Sequence, residues 1–219
     1  VQQAYIKASN TQAGDRFGFS VALSHDGNTL ATGAISEDSA SIGIDGDQTD
    51  NSMDNAGAAY VFTRNGQIWS QKAYVKASNT GGTEEGDQFG YDVALNADGT
   101  TLTVSAITED SAATGINGNQ NDDSAVDVGA VYVYTRNDET WNQQAYLKPR
   151  QSPRETLVGS VLFGSAIGLD ASGDTLAVSG FNEDTNRGSI YIFSRENNRW
   201  LEQARVQASN AEIGDALAS

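Results

Sequence analysis

Apolar positions along this chain come in short runs, and the same set of runs returns three times. Phe17-Gly18-Phe19-Ser20-Val21-Ala22-Leu23 reappears as Phe89-Gly90-Tyr91-Asp92-Val93-Ala94-Leu95 and, more loosely, as Phe163-Gly164-Ser165-Ala166-Ile167-Gly168-Leu169. The copies begin 72 and 74 residues apart. Phe19, Val21 and Leu23 alternate with Ser20, Ala22 and Ser24, the period of two that marks a half-buried strand. A second run follows each copy: Leu30–Ala34, Leu102–Ala106 and Leu176–Gly180. Asp26-Gly27, Asp98-Gly99 or Ser172-Gly173 separates the two runs and predicts a tight turn. The third run is apolar on both faces: Ala58–Phe62, Ala130–Tyr134 and Ser189–Phe193. The fourth begins near Trp69, Trp141 or Trp200 and leads into Ala73-Tyr74-Val75-Lys76 or Ala145-Tyr146-Leu147-Lys148. The opening Ala4-Tyr5-Ile6-Lys7 reads as the same closing strand of a preceding unit.

Each repeat thus predicts four short strands and no helix. A four-stranded sheet whose third strand is apolar on both sides must be covered on both faces. Repeated, such a sheet is the blade of a β-propeller. The expected fold is all-β, with blades of four antiparallel strands and three repeats forming a partial or oligomer-completed ring. An ordinary β-sandwich is the competing arrangement. Expected bounds are 1–9 for an outer strand, 10–78, 79–148 and 149–209 for three blades, and 210–219 for the start of a further repeat. Three blades fall below the four to eight that usually close a ring, so two apolar blade faces need cover. Further blades of a longer chain or association into a homo-oligomer would supply it, and ends that fall inside a repeat favour the longer chain. The first residues form a repeat strand rather than a signal peptide, which fits a processed or excised product.

Composition narrows the partners. A net charge of −16 argues against nucleic-acid binding, which needs basic surface. It suits a cation-attracting surface or a general solubility adaptation. No run is long and apolar enough for membrane insertion. With no cysteine there is neither disulfide nor thiol chemistry. The acids are concentrated. Residues 36–56 hold Glu37, Asp38, Asp45, Asp47, Asp50 and Asp54, and residues 108–128 hold Glu109, Asp110, Asp122, Asp123 and Asp127, with no Lys or Arg in either stretch. The third repeat has only Glu183 to Gly188 at this position, so the loop is dispensable to the blade. Surface loops of this kind often carry function.

Gly14-Asp15-Arg16-Phe17-Gly18-Phe19-Ser20-Val21-Ala22, then Gly33-Ala34-Ile35, then Gly57-Ala58-Ala59-Tyr60-Val61-Phe62, resembles the FG-GAP repeat. The second repeat matches with Gly86-Asp87-Gln88-Phe89-Gly90, Ser105-Ala106-Ile107 and Gly129–Tyr134. The third keeps Phe163-Gly164 and Gly188–Phe193 but lacks the Gly-Asp pair, and Gly214-Asp215 is similar to the start of a fourth copy. The resemblance implies the integrin-α-like β-propeller of bacterial secreted or surface proteins, with extracellular adhesion or ligand binding, often with calcium. Two features depart from it. The family's calcium loop between the first and second strands is replaced by His25-Asp26-Gly27-Asn28 and its equivalents, too short to wrap an ion. The proline after Gly-Ala is Ile35, Ile107 or Phe181.

Calcium could bind elsewhere. It takes about six to eight oxygen ligands on a flexible loop. Asp45, Asp47 and Asp50, and equally Asn117, Asn119 and Asp122, offer oxygens at matched spacing, with Gly46 or Gly118 after the first. A solvated polar loop, with Asp, Asn and Gly serving turns, explains the same residues. His25, the only histidine, lies in a hairpin turn without a partner for catalysis. Asp15 and Asp87 are expected to accept backbone N–H bonds beside the first strand. The repeated tryptophans read as blade packing before a sugar platform, and Lys7, Lys76 and Lys148 as charges protecting an outer strand. The favoured function is a non-enzymatic extracellular or cell-surface module for binding or adhesion to a protein or glycan, stabilised by calcium. The alternatives are a structural subunit of a larger extracellular assembly, and a propeller-scaffold enzyme acting on polysaccharide. Against the enzyme, unusual residues are confined to Arg150, Arg154 and Glu155.

Overall fold

The computed structural model describes residues 2–81, 86–150, 161–180 and 188–210. Among the described residues twelve strands form three antiparallel four-stranded sheets, none of which shares a strand with another. The first blade contains β1 (Val21–Leu23), β2 (Thr29–Ala34), β3 (Ala58–Asn65) and β4 (Ile68–Val75), in sequence order across the sheet. The second contains β5 (Phe89–Leu95), β6 (Thr101–Ala106), β7 (Ala130–Asn137) and β8 (Thr140–Leu147). The third contains β9 (Ile167–Leu169), β10 (Thr175–Gly180), β11 (Ser189–Glu196) and β12 (Arg199–Val206). The meander is the propeller blade expected from the repeat. The innermost strands are the least regular. β1 and β9 pair over only three residues, and β5 is bulged between Phe89 and Val93. The outer pairs also share a bulge, after Val61, Val133 and Ile192.

The blades stack face to face in chain order. Ala31, Ala59, Val61, Ala73 and Val75 of the first blade meet Val93, Leu102, Val104, Tyr132 and Tyr134 of the second in one core. Val131, Val133, Ala145 and Leu147 of the second meet Leu176, Val178, Tyr191 and Phe193 of the third in another. The doubly apolar third strand is therefore buried from both sides in the middle blade, as its pattern requires. Backbone bonds repeat at each interface: the His25 N–H donates to the Ala97 carbonyl at 2.8 Å, and the Ala97 N–H to the Ala171 carbonyl at 3.0 Å. Tight contact needs glycine here. Gly90 has φ +93°, and a Cβ there would lie 2.4 Å from the Ala58 carbonyl oxygen. This explains the second position of the Phe-Gly pair.

Ala4–Lys7 is placed where the sequence puts a preceding blade's strand, but it pairs into none of the three sheets. Ile6 and Ala8 cover the outer part of the first blade, against Tyr60, Phe62 and Tyr74. Phe181, Glu183-Asp184, Arg154, Glu155, most of the 149–153 insertion and Gly214-Asp215 lie outside the described residues.

Candidate functional site

The two acidic loops, residues 36–56 and 108–128, are built alike. Each leaves the second strand, doubles back along the end of its own outer strand, and returns to the third. Ile44 bridges Val75 and Ile116 bridges Leu147 as short antiparallel additions to the sheet edge. The Lys76 N–H donates to the Gly43 carbonyl at 2.7 Å, and the Lys148 N–H to that of Gly115 at 2.8 Å. The loop bases close the same way. Asn55 N–H donates to Asp38 Oδ1 at 2.9 Å, and Asp127 N–H to Asp110 Oδ1 at 2.8 Å. Ser39 Oγ donates to the Asp47 carbonyl and Ser111 Oγ to that of Asn119, both at 2.8 Å.

Beneath each loop lies a buried ion pair. Lys76 Nζ is 2.8 Å from Glu37 Oε2, and Lys148 Nζ is 2.5 Å from Glu109 Oε2. All four side chains are buried, which corrects the reading of Lys76 and Lys148 as exposed edge charges. The loop covers the strand end and takes the ammonium out of water. Of Lys7, Lys76 and Lys148, Lys7 alone is exposed. Each glutamate is otherwise satisfied. Glu37 Oε1 accepts from Tyr74 Oη at 2.7 Å and from Asn10 Nδ2 at 2.9 Å, and Asn10 Oδ1 accepts from Tyr60 Oη at 2.7 Å. Glu109 accepts from Tyr146 Oη at 2.6 Å and Asn79 Nδ2 at 3.1 Å, and Asn79 accepts from Tyr132 Oη. Burial lowers both lysine pKa values, against the attraction of the paired glutamate. Burial likewise raises those of Tyr74 and Tyr146, so these phenols act as donors. The sequence did carry a signal for the pair: Glu and Lys recur 39 residues apart in both repeats. In the third repeat the lysine position is Gln207.

Asp15 accepts the Gln12 N–H at 2.9 Å, as expected. Asp87 differs. Its Oδ2 is buried with no hydrogen-bond partner among the described residues, and burial, reinforced by Glu109 and Asp110, pushes its pKa up to about 8. Burial and the neighbouring carboxylates thus favour the protonated form of Asp87.

The six calcium candidates brace their loops. Asp45 Oδ1 accepts the Tyr74 N–H and Asn117 Oδ1 the Tyr146 N–H, both at 2.9 Å. Asp45 and Asn117 share a left-handed φ of 55°. Asp47 accepts the N–H and hydroxyl of Thr49, and Asn119 accepts the Asn121 N–H. Asp50 accepts the N–H groups of Ala40 and Ser52, and Asp122 that of Ser124. In each loop the three are tied to different partners. Among the described residues no three His, Cys, Asp or Glu side chains come together as a metal-ligating group. As folded, these residues form hydrogen-bonded turns.

The tryptophans pack on their own blades. Arg64, Arg136 and Arg195 lie over the rings of Trp69, Trp141 and Trp200 at 5.5–5.6 Å. Trp141 and Trp200 are buried and Trp69 half-buried, so none forms an open platform.

A family model for the FG-GAP repeat matches residues 1–62. No curated protein matches the chain. Among solved structures, the crystal structure of TolB from Acinetobacter baumannii is similar to 86% of the chain, at 12% identity and a TM-score of 0.40. The matched region is 32% of the TolB chain, so this chain spans about a third of that protein. No helix among the described residues is long and apolar enough to cross a membrane.

Proposed function

Starting from the FG-GAP repeat that residues 1–62 form, we propose that this β-propeller module is a non-enzymatic, extracellular or cell-surface binding protein. Its ligand surface is the pair of loops at residues 36–56 and 108–128. The observation that carries this reading is the duplicated construction of those loops. Each holds an excess of carboxylates with no basic residue, and each is fixed to its blade by a buried Glu–Lys pair and a strand-like bridge. A solvated connection would need neither anchor. Rigid loops of one charge present a pre-organised surface to a cationic protein segment or to a glycan's hydroxyls.

A glycan array and a panel of basic peptides, each probed with calcium present and with chelator, test the proposal. Saturable binding that is lost when residues 113–123 are replaced by a short Gly-Ser connection supports it. The absence of binding on both panels overturns it in favour of a structural subunit. Calcium is tested separately by calorimetric titration. A site-specific heat with a chelator-sensitive melting temperature supports calcium stabilisation. An unchanged melting temperature leaves loops held by their hydrogen bonds alone.

A further inference from the structure

The buried pair beneath each loop has a third member. Glu109 holds Lys148 Nζ on Oε2 at 2.5 Å and Asn79 Nδ2 on Oε1 at 3.1 Å. The Asn79 carbonyl oxygen in turn accepts from Tyr132 Oη at 2.7 Å. The first blade repeats the set atom for atom. Glu37 holds Lys76 Nζ on Oε2 at 2.8 Å and Asn10 Nδ2 on Oε1 at 2.9 Å, and Asn10 Oδ1 accepts from Tyr60 Oη at 2.7 Å. An amine and a carboxamide are thus gathered on the two oxygens of one carboxylate. The lysines, glutamates and tyrosines are buried, and the asparagines are half-buried at the rim. In the third repeat both reacting positions change together: the asparagine position is Gln151 and the lysine position Gln207. A plain ion pair needs no asparagine and does not account for that joint change.

We propose that each set joins itself covalently, through an isopeptide bond between Lys148 Nζ and Asn79 Cγ in the second blade and between Lys76 Nζ and Asn10 Cγ in the first. Lys148 first passes a proton to Glu109 across their contact. Burial favours that transfer, because it lowers the lysine pKa and penalises both charges. The neutral amine attacks Asn79 Cγ. Negative charge builds on Oδ1, where the Tyr132 hydroxyl already donates. As the Cγ–Nδ2 bond breaks, a second proton passes from the attacking nitrogen to Nδ2, with Glu109 in contact with both nitrogens. Nδ2 leaves as ammonia by way of the half-buried rim. The lysine thus gives up two protons, one to the leaving group and one that stays on Glu109. An ion pair becomes a neutral amide beside a neutral acid, and the buried charges are gone.

Asn79 precedes β5 and Lys148 follows β8, so the bond closes the second blade into one covalent loop. The bond between Asn10 and Lys76 does the same for β1 to β4. Such closure restricts the unfolded chain as a disulfide does, in a protein without cysteine. Newly folded chain holds the ion pairs, and the bonds appear with time.

Intact-mass spectrometry in denaturant, repeated over days after purification, tests the proposal. The 23.1 kDa chain should become lighter by about 17 Da for each bond, one ammonia, and by twice that once both have formed. Digestion should yield a branched peptide joining Asn79 to Lys148 and another joining Asn10 to Lys76. Asn79→Ala and Lys148→Met should each abolish the second-blade bond and keep the first, whose presence reports that the variant has folded. Glu109→Gln keeps the side chain's size, removes the proton acceptor, and should slow the second-blade bond by about 100-fold or more. The full sequence mass at all times overturns the proposal. So does a loss mapped to Asn65-Gly66 or Asn117-Gly118, where an asparagine cyclises on the amide of the following glycine. A loss of about 18 Da joining Glu109 to Lys148 overturns the asparagine as the acyl group. A bond in one blade only overturns the assignment for the other, and an unchanged rate in Glu109→Gln overturns the role of the glutamate.

Discussion

Glu37 and Lys76 show what one residue's burial decides in this fold. Both are out of water and each satisfies the other, with Tyr74, Asn10 and the Ser39 N–H completing the glutamate's bonds. Breaking such a pair from one side leaves a buried charge, whereas replacing both sides leaves an apolar contact. Lys148→Met should therefore destabilise the protein by about 3–5 kcal/mol in urea unfolding. The double change Glu109→Gln with Lys148→Met keeps an acceptor for Tyr146 and Asn79 without a buried charge and should recover most of that loss, and equal losses in the two variants would disprove the account. Asp87 makes the complementary point. Its folded pKa of about 8 lies above its ordinary 3.8. Between those values the folded chain keeps a proton that the unfolded chain has released, so stability is full at low pH and falls as pH rises. One such group costs about 1.4 kcal/mol per pH unit across that window, an upper limit, and the loss levels off above about pH 8. Asp87→Asn cannot ionise. Melting temperatures measured from pH 5 to pH 8 should fall less steeply in this variant than in the parent protein.

At the scale of the element, glycine tolerance depends on how near the next blade comes. Gly90→Ala places a Cβ against the Ala58 carbonyl at positive φ and should cost about 2–4 kcal/mol. Gly66, in the β3–β4 hairpin at φ +63°, has no atom within 4 Å of a Cβ. Gly66→Ala should cost about 1 kcal/mol, from the backbone alone, and denaturant midpoints of the two variants check the difference. The strands were legible because period two and the Asp-Gly turns are local signals, and three copies multiply them. The blade assignment followed from β3, whose apolar residues on both faces demanded two neighbours. The edge of β4 was not legible. Strand alternation says which way Lys76 points but not whether a loop that left the sheet at Ala34 returns to cover it. The closely spaced Asp45, Asp47 and Asp50 suggested converging oxygens, yet spacing in a loop does not fix direction. A left-handed Asp45 sends its carboxylate to the Tyr74 amide, while Asp47 and Asp50 cap separate turns.

Across the whole molecule, stability follows a one-dimensional stack. The middle blade is packed on both faces and each end blade on one, so opening should begin at the ends. Amide hydrogen exchange should find β6 and β7 the most protected strands, with β1 and the last residues of β12 exchanging first. Comparable protection in all three blades would mean that the end faces are covered in solution. Each blade also carries a single tryptophan at the same corner, under an arginine. Trp69 is partly open to solvent, Trp141 is enclosed, and the Trp200 indole N–H reaches back to Gln144 of the middle blade at 2.9 Å. The protein therefore contains three built-in optical probes, one for each step of the stack. Keeping one indole at a time and replacing the others with phenylalanine would resolve the order in which the blades part, because the Trp200 emission must change when the second and third blades separate.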